Sequence, residues 1–188
     1  MHIEKQNGKE SSPAALRIAT LAVLIAVTAV FTYMIRIPVA PTRGYINFGD
    51  VAIFFTALTF GPVTALVTGG LGTALADIIS GYAQWAPFTF FAHGLQGLVI
   101  ALVAGGSYRR DDGEPSRLGI IPLTLSFLAG TAVMGGIYFV TGGFMVGFPA
   151  AAAEIPGNIL QNVAGVAVGA PLAVAVRKAY PPINRYRW

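Results

Sequence analysis

The chain has 188 residues, of which 55% are hydrophobic and 11% charged, with a formal net charge of +4 and a mean hydropathy of +0.67. Soluble domains carry about 25% charged residues, so the composition excludes an ordinary soluble globule and indicates a polytopic membrane protein. The lack of cysteine removes disulfides, thiolate metal sites and cysteine nucleophiles from consideration.

Residues 1–13 are polar and lack the order of a signal peptide, so a disordered cytoplasmic tail is expected there. An apolar span from about Ala15 to Ile37 follows, long enough at about 1.5 Å per residue to cross a hydrocarbon layer of roughly 30 Å. Pro38 and Pro41 stop it, and a loop runs to about Asn47. A second helix, Phe48 to Phe60, covers only about 20 Å, so the bilayer must thin around it, the helix extend, or its neighbours bury it. Gly61–Pro62 breaks the chain before a third helix from Val63 to Ser80. The fourth covers Phe88 to Gly105, and Ser107 to Arg117 form the strongly polar internal loop. The fifth runs from Leu118 to about Val140 and the sixth from about Ala150 to Val176. The expectation is an all-α, six-helix transmembrane bundle over residues 14–178, with a cytoplasmic tail over 179–188.

Six helices place both termini on one side. With that side cytoplasmic, the inner segments hold Lys5, Lys9, Arg17, Arg109, Arg110, Arg117, Arg177, Lys178, Arg185 and Arg187, and the outer loops only Arg36 and Arg43. This is a pronounced positive-inside bias. Topology therefore accounts for the basic charge without a nucleic-acid partner. Tyr82 and Trp85 outside, with Tyr108, Tyr180 and Trp188 inside, fit interfacial aromatic belts.

Polar groups at membrane depth are costly and normally face a cavity or a partner. In the sixth helix Glu154, Asn158, Gln161 and Gly165 share one face, with Glu154 about 6 Å below its outer end. In the fourth, Trp85, Thr89, His93 and Gln96 do the same. Asp77 sits near the outer end of the third helix. The two polar stripes at matching depth suggest a water-accessible pocket open to the outside, with Tyr45, Trp85, Phe88 and Phe144 as stacking surface. Blander readings stand beside these. Asn47 and Asp50 occupy cap and N3 spacing at a helix start. Asp77 suits a pairing with Arg43 or a cap, and His93 suits a satisfied core histidine. Gln161 or Asn162 suits an interhelical hydrogen bond. Ala15, Ala19, Ala22, Ala26 and Ala29 form a stripe of small residues on the first helix, which permits close helix approach inside this bundle or against a partner.

No G-x-x-x-x-G-K-[ST] loop is present, so the chain itself has no ATP site of that kind, and H-E-x-x-H and G-x-S-x-G are missing too. The Gly69-Gly70-Leu71-Gly72 cluster lies in an apolar helix and reads as close packing.

The stretches YINFGDVAIFFTALTFGP, GGLGTALADIISGYAQWAPFTFFAHGLQGLVIAL and EIPGNILQNVAGVAVGAPL resemble the substrate-binding S components of energy-coupling factor (ECF) vitamin transporters. They are most similar to the riboflavin-transporter-like subgroup, which is itself similar to proteins assigned to hydroxymethylpyrimidine, pyridoxine and related compounds. The resemblance covers about Ala15 to Arg177. It implies a non-enzymatic six-helix subunit of an ABC-type importer in a prokaryotic cell membrane, binding a vitamin or precursor near the outer face. It implies a lid in the loop after the first helix, carrying Arg43 and Tyr45, and a docking face for a transmembrane coupling subunit at Ala15, Ala19, Ala22 and Ala26. ATP would be hydrolysed by two cytoplasmic partner ATPases, with no cofactor or metal in this chain. On that footing the substrate-binding set is Tyr45, Asp77, Trp85, His93, Gln96, Glu154 and Asn158. A hydroxymethylpyrimidine- or pyridoxine-like heterocycle is the favoured ligand, with riboflavin next. The competing readings are a small intramembrane enzyme using Asp77, His93 and Glu154, and a structural subunit whose polar stripes only join helices.

Overall fold

The computed structural model describes residues 13–39, 44–105 and 118–187. The expected tail over 1–13, apart from Pro13, the polar loop Ser107–Arg117, and Arg43 of the expected lid lie outside them.

Helix α1 (Pro13–Met34) is followed by strands β1 (Arg36–Val39) and β2 (Gly44–Asn47), then α2 (Gly49–Phe60), α3 (Pro62–Ile79), α4 (Ala86–Gly105) and α5 (Ile120–Val146). Helix α6 (Phe148–Ala164), a π-helical turn (Gly165–Gly169) and α7 (Ala170–Ala179) form one continuous span of 32 residues. That span, α1, α3, α4 and α5 are each long and apolar enough to cross a membrane, and α2 completes a six-helix bundle. The 3₁₀ turn Pro181–Tyr186 ends the described chain.

The short second helix is resolved by burial. Every residue of α2 except Phe55 is buried, with Ile53, Phe54, Ala57 and Leu58 inaccessible in the central core. Because the neighbours enclose it, α2 has no need to match the bilayer thickness. At its C-terminal end the Leu58 carbonyl, which has no intrahelical partner, accepts from Arg177 Nη1 of α7 at 3.0 Å.

Helices α3 and α4 pack at backbone contact. A Cβ on Gly69 would fall 2.8 Å from the His93 carbonyl oxygen, and one on Gly97 would fall 2.9 Å from that of Ala65. The glycine cluster in α3 is therefore a packing surface, as its apolar setting suggests.

Two boundaries differ from the sequence reading. The segment after α1 is an antiparallel hairpin rather than an irregular loop, with Ile37 opposite Ile46 and Pro38 opposite Tyr45. Helix α5 runs on past Val140 to Val146 and is joined to α6 by Gly147 alone. Gly147 has φ +96°, a conformation that turns the chain sharply and that few other residues adopt.

Candidate functional site

A cavity of about 60 Å³ opens at the end of the bundle where the hairpin lies. The turn between α3 and α4 contributes Tyr82 and Trp85, and α4 contributes Thr89 and His93. From α6 come Glu154, Asn158 and Gln161, from α3 Asp77, and from α5 Tyr138. Strand β2 closes the remaining side with Tyr45, Ile46 and Asn47, and Thr32 of α1 completes the wall. Six of the seven residues expected from sequence to meet substrate thus line one cavity: Tyr45, Asp77, Trp85, His93, Glu154 and Asn158.

The hairpin is fastened at several points. Tyr45 Oη donates to Asp77 Oδ1 at 2.5 Å. Asn47 N donates to Gln161 Oε1, which ties β2 to α6. The guanidinium of Arg36 lies 4.5 Å from the Tyr33 ring centre and 5.6 Å from that of Tyr45, a cation–π sandwich at the foot of the hairpin. Ile46 packs where a Cβ on Gly157 would clash at 2.9 Å. Burial first, then the nearby Asp77 charge, pushes the Tyr45 phenol far above its ordinary range, so it is a neutral donor.

Aromatic pairs flank the polar groups. Tyr45 and Tyr82 lie 5.2 Å apart, and Trp85 and Tyr138 6.4 Å apart. Tyr138 Oη donates to Thr89 Oγ1 at 3.0 Å, and its ring meets His93 edge-on. Such an arrangement offers flat apolar faces with acceptors and donors between them, which suits a small polar ring.

Beneath the cavity lies a buried polar cluster that spans three helices. Gln96 Nε2 donates to Asp50 Oδ1 at 2.6 Å and to Asn162 Oδ1 at 2.8 Å, while Gln96 Oε1 is 2.8 Å from His93 Nδ1. Asn162 Nδ2 in turn donates to the Asn158 carbonyl at 3.0 Å.

The geometry refines several expectations. Gln96 is fully buried in the cluster and does not line the cavity, because it lies a turn deeper than His93 on the same face. Asp50 does lie in the first turn of α2, but its side chain points inward, fully buried, and bonds α4. Asn47 does close the start of α2, its Oδ1 accepting from Gly49 N at 2.7 Å, yet it also faces the cavity. Phe144 is 80% exposed and meets Phe148 edge-on without lining the cavity, and Phe88 is not a lining residue either. Asp77 accepts from Tyr45, and Arg43, the candidate from sequence, lies outside the described residues. Both Gln161 and Asn162 make bonds between elements. Sequence reasoning missed Tyr138, a lone phenol inside an apolar helix, and assigned Tyr82 to the membrane interface.

A bundle of apolar helices around a buried polar cavity defines a membrane-embedded protein with a small-molecule site. Residues 14–178 match the family described as ECF-type riboflavin transporter, S component. The chain belongs to that family of membrane-embedded transporter subunits for uptake of a vitamin or its precursor, which are not enzymes. Such S components work with a membrane coupling subunit and ATPases.

The chain is 37% identical over 159 residues to the "Uncharacterized protein in gap 3′region" of Pyrococcus woesei, covering 82% of this chain and 97% of that one. It is 28% identical over 163 residues to the "Thiamine precursor transporter HmpT" of Lactococcus lactis, covering 86% and 88%. In fold it is similar to the solved S component of a bacterial ECF transporter, with a TM-score of 0.63 and 21% identity over 88% of this chain and 98% of that one. Family membership sets aside the intramembrane enzyme and the purely structural subunit.

Proposed function

We propose that the chain captures a single-ring heterocycle of the hydroxymethylpyrimidine or pyridoxine type in the cavity between the hairpin and α3 to α6. The observation that carries this reading is the lining of the cavity. Tyr45–Tyr82 and Trp85–Tyr138 offer flat faces for a ring, and Asp77, Glu154 and Asn158 suit its amino or hydroxymethyl groups. The similarity to a thiamine precursor transporter supports the same choice. Riboflavin is the second reading, favoured by the family's description, and requires the walls to part around a larger ligand.

In this proposal Tyr45, Asp77, Trp85, His93, Glu154 and Asn158 meet the ligand, and the hairpin with residues 40–43, Arg43 included, is the lid. The cavity faces out of a prokaryotic cell and both chain ends lie in the cytoplasm, a reading supported by the positive-inside bias of the basic residues. The coupling subunit docks on Ala15, Ala19, Ala22 and Ala26, all of which have exposed side chains, and two partner ATPases supply the energy.

Equilibrium binding to the purified protein without ATP tests the reading. Hydroxymethylpyrimidine should bind tightly, and Glu154→Ala and Asn158→Ala should each weaken it by about 10-fold or more, the loss of one hydrogen bond to a polar ligand. Normal binding by both variants would remove these residues from the site, and preference for riboflavin would favour the second reading.

A further inference from the structure

His93 lines the cavity with one of its two ring nitrogens engaged below it. Nδ1 lies 2.8 Å from Gln96 Oε1 and 3.6 Å from Asp50 Oδ1. Nε2 has no hydrogen-bond partner among the described residues and is the nitrogen left to the cavity.

The proton on this ring is set by groups two and three links away. The Asn158 carbonyl can only accept, so the nitrogen of the Asn162 side chain must face it, at 3.0 Å. Asn162 Oδ1 then faces Gln96, which must donate to it, at 2.8 Å. Asp50 Oδ1 takes the second hydrogen of the same Gln96 nitrogen at 2.6 Å. With both amide hydrogens used, Gln96 Oε1 is what remains to meet His93 Nδ1, and a carbonyl oxygen has only lone pairs to offer. A neutral imidazole carries one proton, and this acceptor draws it to Nδ1.

We infer that the Asn158–Asn162–Gln96 chain, seconded by Asp50, locks His93 as its Nδ1–H tautomer and presents Nε2 to the cavity as an acceptor, so that the site selects ligands bringing an N–H or O–H to that point. The selection step rests on the cavity being the ligand site; the tautomer does not. Gln96, Asn162 and Asp50 are positioning residues in this scheme. A ligand with a lone pair facing Nε2 is disfavoured, since two acceptors would meet with no proton between them.

The chain has two histidines, so His2→Ala leaves His93 as the sole histidine for ¹⁵N labelling. The labelled full-length protein in lipid nanodiscs at neutral pH should show a protonated Nδ1 and a bare Nε2. A protonated Nε2, as the other tautomer or as imidazolium, overturns the inference. Gln96→Met removes the amide at similar volume and should release the tautomer, giving a mixed or Nε2–H spectrum; an unchanged spectrum there also overturns it. Asp50→Asn should keep the Nδ1–H spectrum, since Asn162 still orients Gln96. Hydroxymethylpyrimidine is the binding probe, and its affinity should fall about 10-fold in Gln96→Met, the worth of one hydrogen bond. An Nδ1–H spectrum in a protein that does not bind this probe supports the relay and refutes the choice of ligand.

Discussion

Tyr45 on the hairpin and Asp77 near the end of α3 are joined by a 2.5 Å hydrogen bond across the mouth of the cavity. The two residues are 32 positions apart in sequence, and the contact crosses from the segment over the site to the wall of the site. Whatever passes the mouth on this side must coexist with that bond or break it.

Tyr45→Phe keeps the ring against Tyr82 and deletes the bond. A hydrogen bond to a charged acceptor is worth about 1.5–3 kcal/mol, so the closed hairpin should lose roughly a factor of 10–100 in its population relative to open forms. The expected result is faster ligand dissociation with a smaller change in association, read by stopped-flow quenching of Trp85. Equal dissociation rates in the two proteins would show that the hairpin does not gate the site.

The same bond predicts a flat alkaline limb. Burial and Asp77 raise the Tyr45 phenol well above the ordinary range for tyrosine, so the folded protein holds this proton longer than the unfolded chain does. A group raised in the folded state contributes fully below its unfolded pKa and loses that contribution only as pH climbs towards the folded one. The difference in melting temperature between wild type and Tyr45→Phe should therefore stay constant from pH 7 to about pH 9.5. A difference that shrinks within that window would mean that the phenol is not held neutral.

The sequence made the helices legible because a long apolar run has few alternatives in a membrane, and it made much of the site legible because Glu154, Asn158 and His93 are expensive anywhere but on a cavity. What it concealed depends on contacts far apart in the chain. Asp50 sits three residues after Asn47, which is cap spacing, and only its bond to Gln96, 46 residues on, reveals it as part of the buried cluster. The hairpin has four-residue strands with Pro38 in one of them, too short and too interrupted to alternate visibly. The α5–α6 junction was misplaced because one glycine with positive φ does the work of a loop. Gln96 shares a face with His93, and a face tells direction without telling which residue lies under the floor.

The docking face proposed on α1 predicts that binding and transport can be separated. Ala22 and Ala26 have exposed side chains, whereas Ala29, further along the stripe, is buried against the bundle. Ala22→Phe and Ala26→Phe should thus leave ligand affinity within about twofold and abolish uptake by cells that supply the coupling subunit and ATPases, because bulk at a small-residue face keeps two helices apart. Loss of binding in the purified variants would instead place that face inside the protein's own packing.

Arg177 offers the last test, far from the cavity. Its side chain is 9% exposed, and Nη1 donates to the Leu58 carbonyl where α2 ends. Arg177→Met keeps the aliphatic stem but leaves that carbonyl unpaired in a buried position, at a cost of about 1–3 kcal/mol. The melting temperature in detergent should fall by several degrees while affinity measured well below the transition stays unchanged, since no residue of α2 lines the cavity. Arg177→Lys, which retains a donor and charge at the helix C-terminus, should recover part of the loss. If Arg177→Met melts with the wild type, the end of α2 is satisfied by something other than this guanidinium.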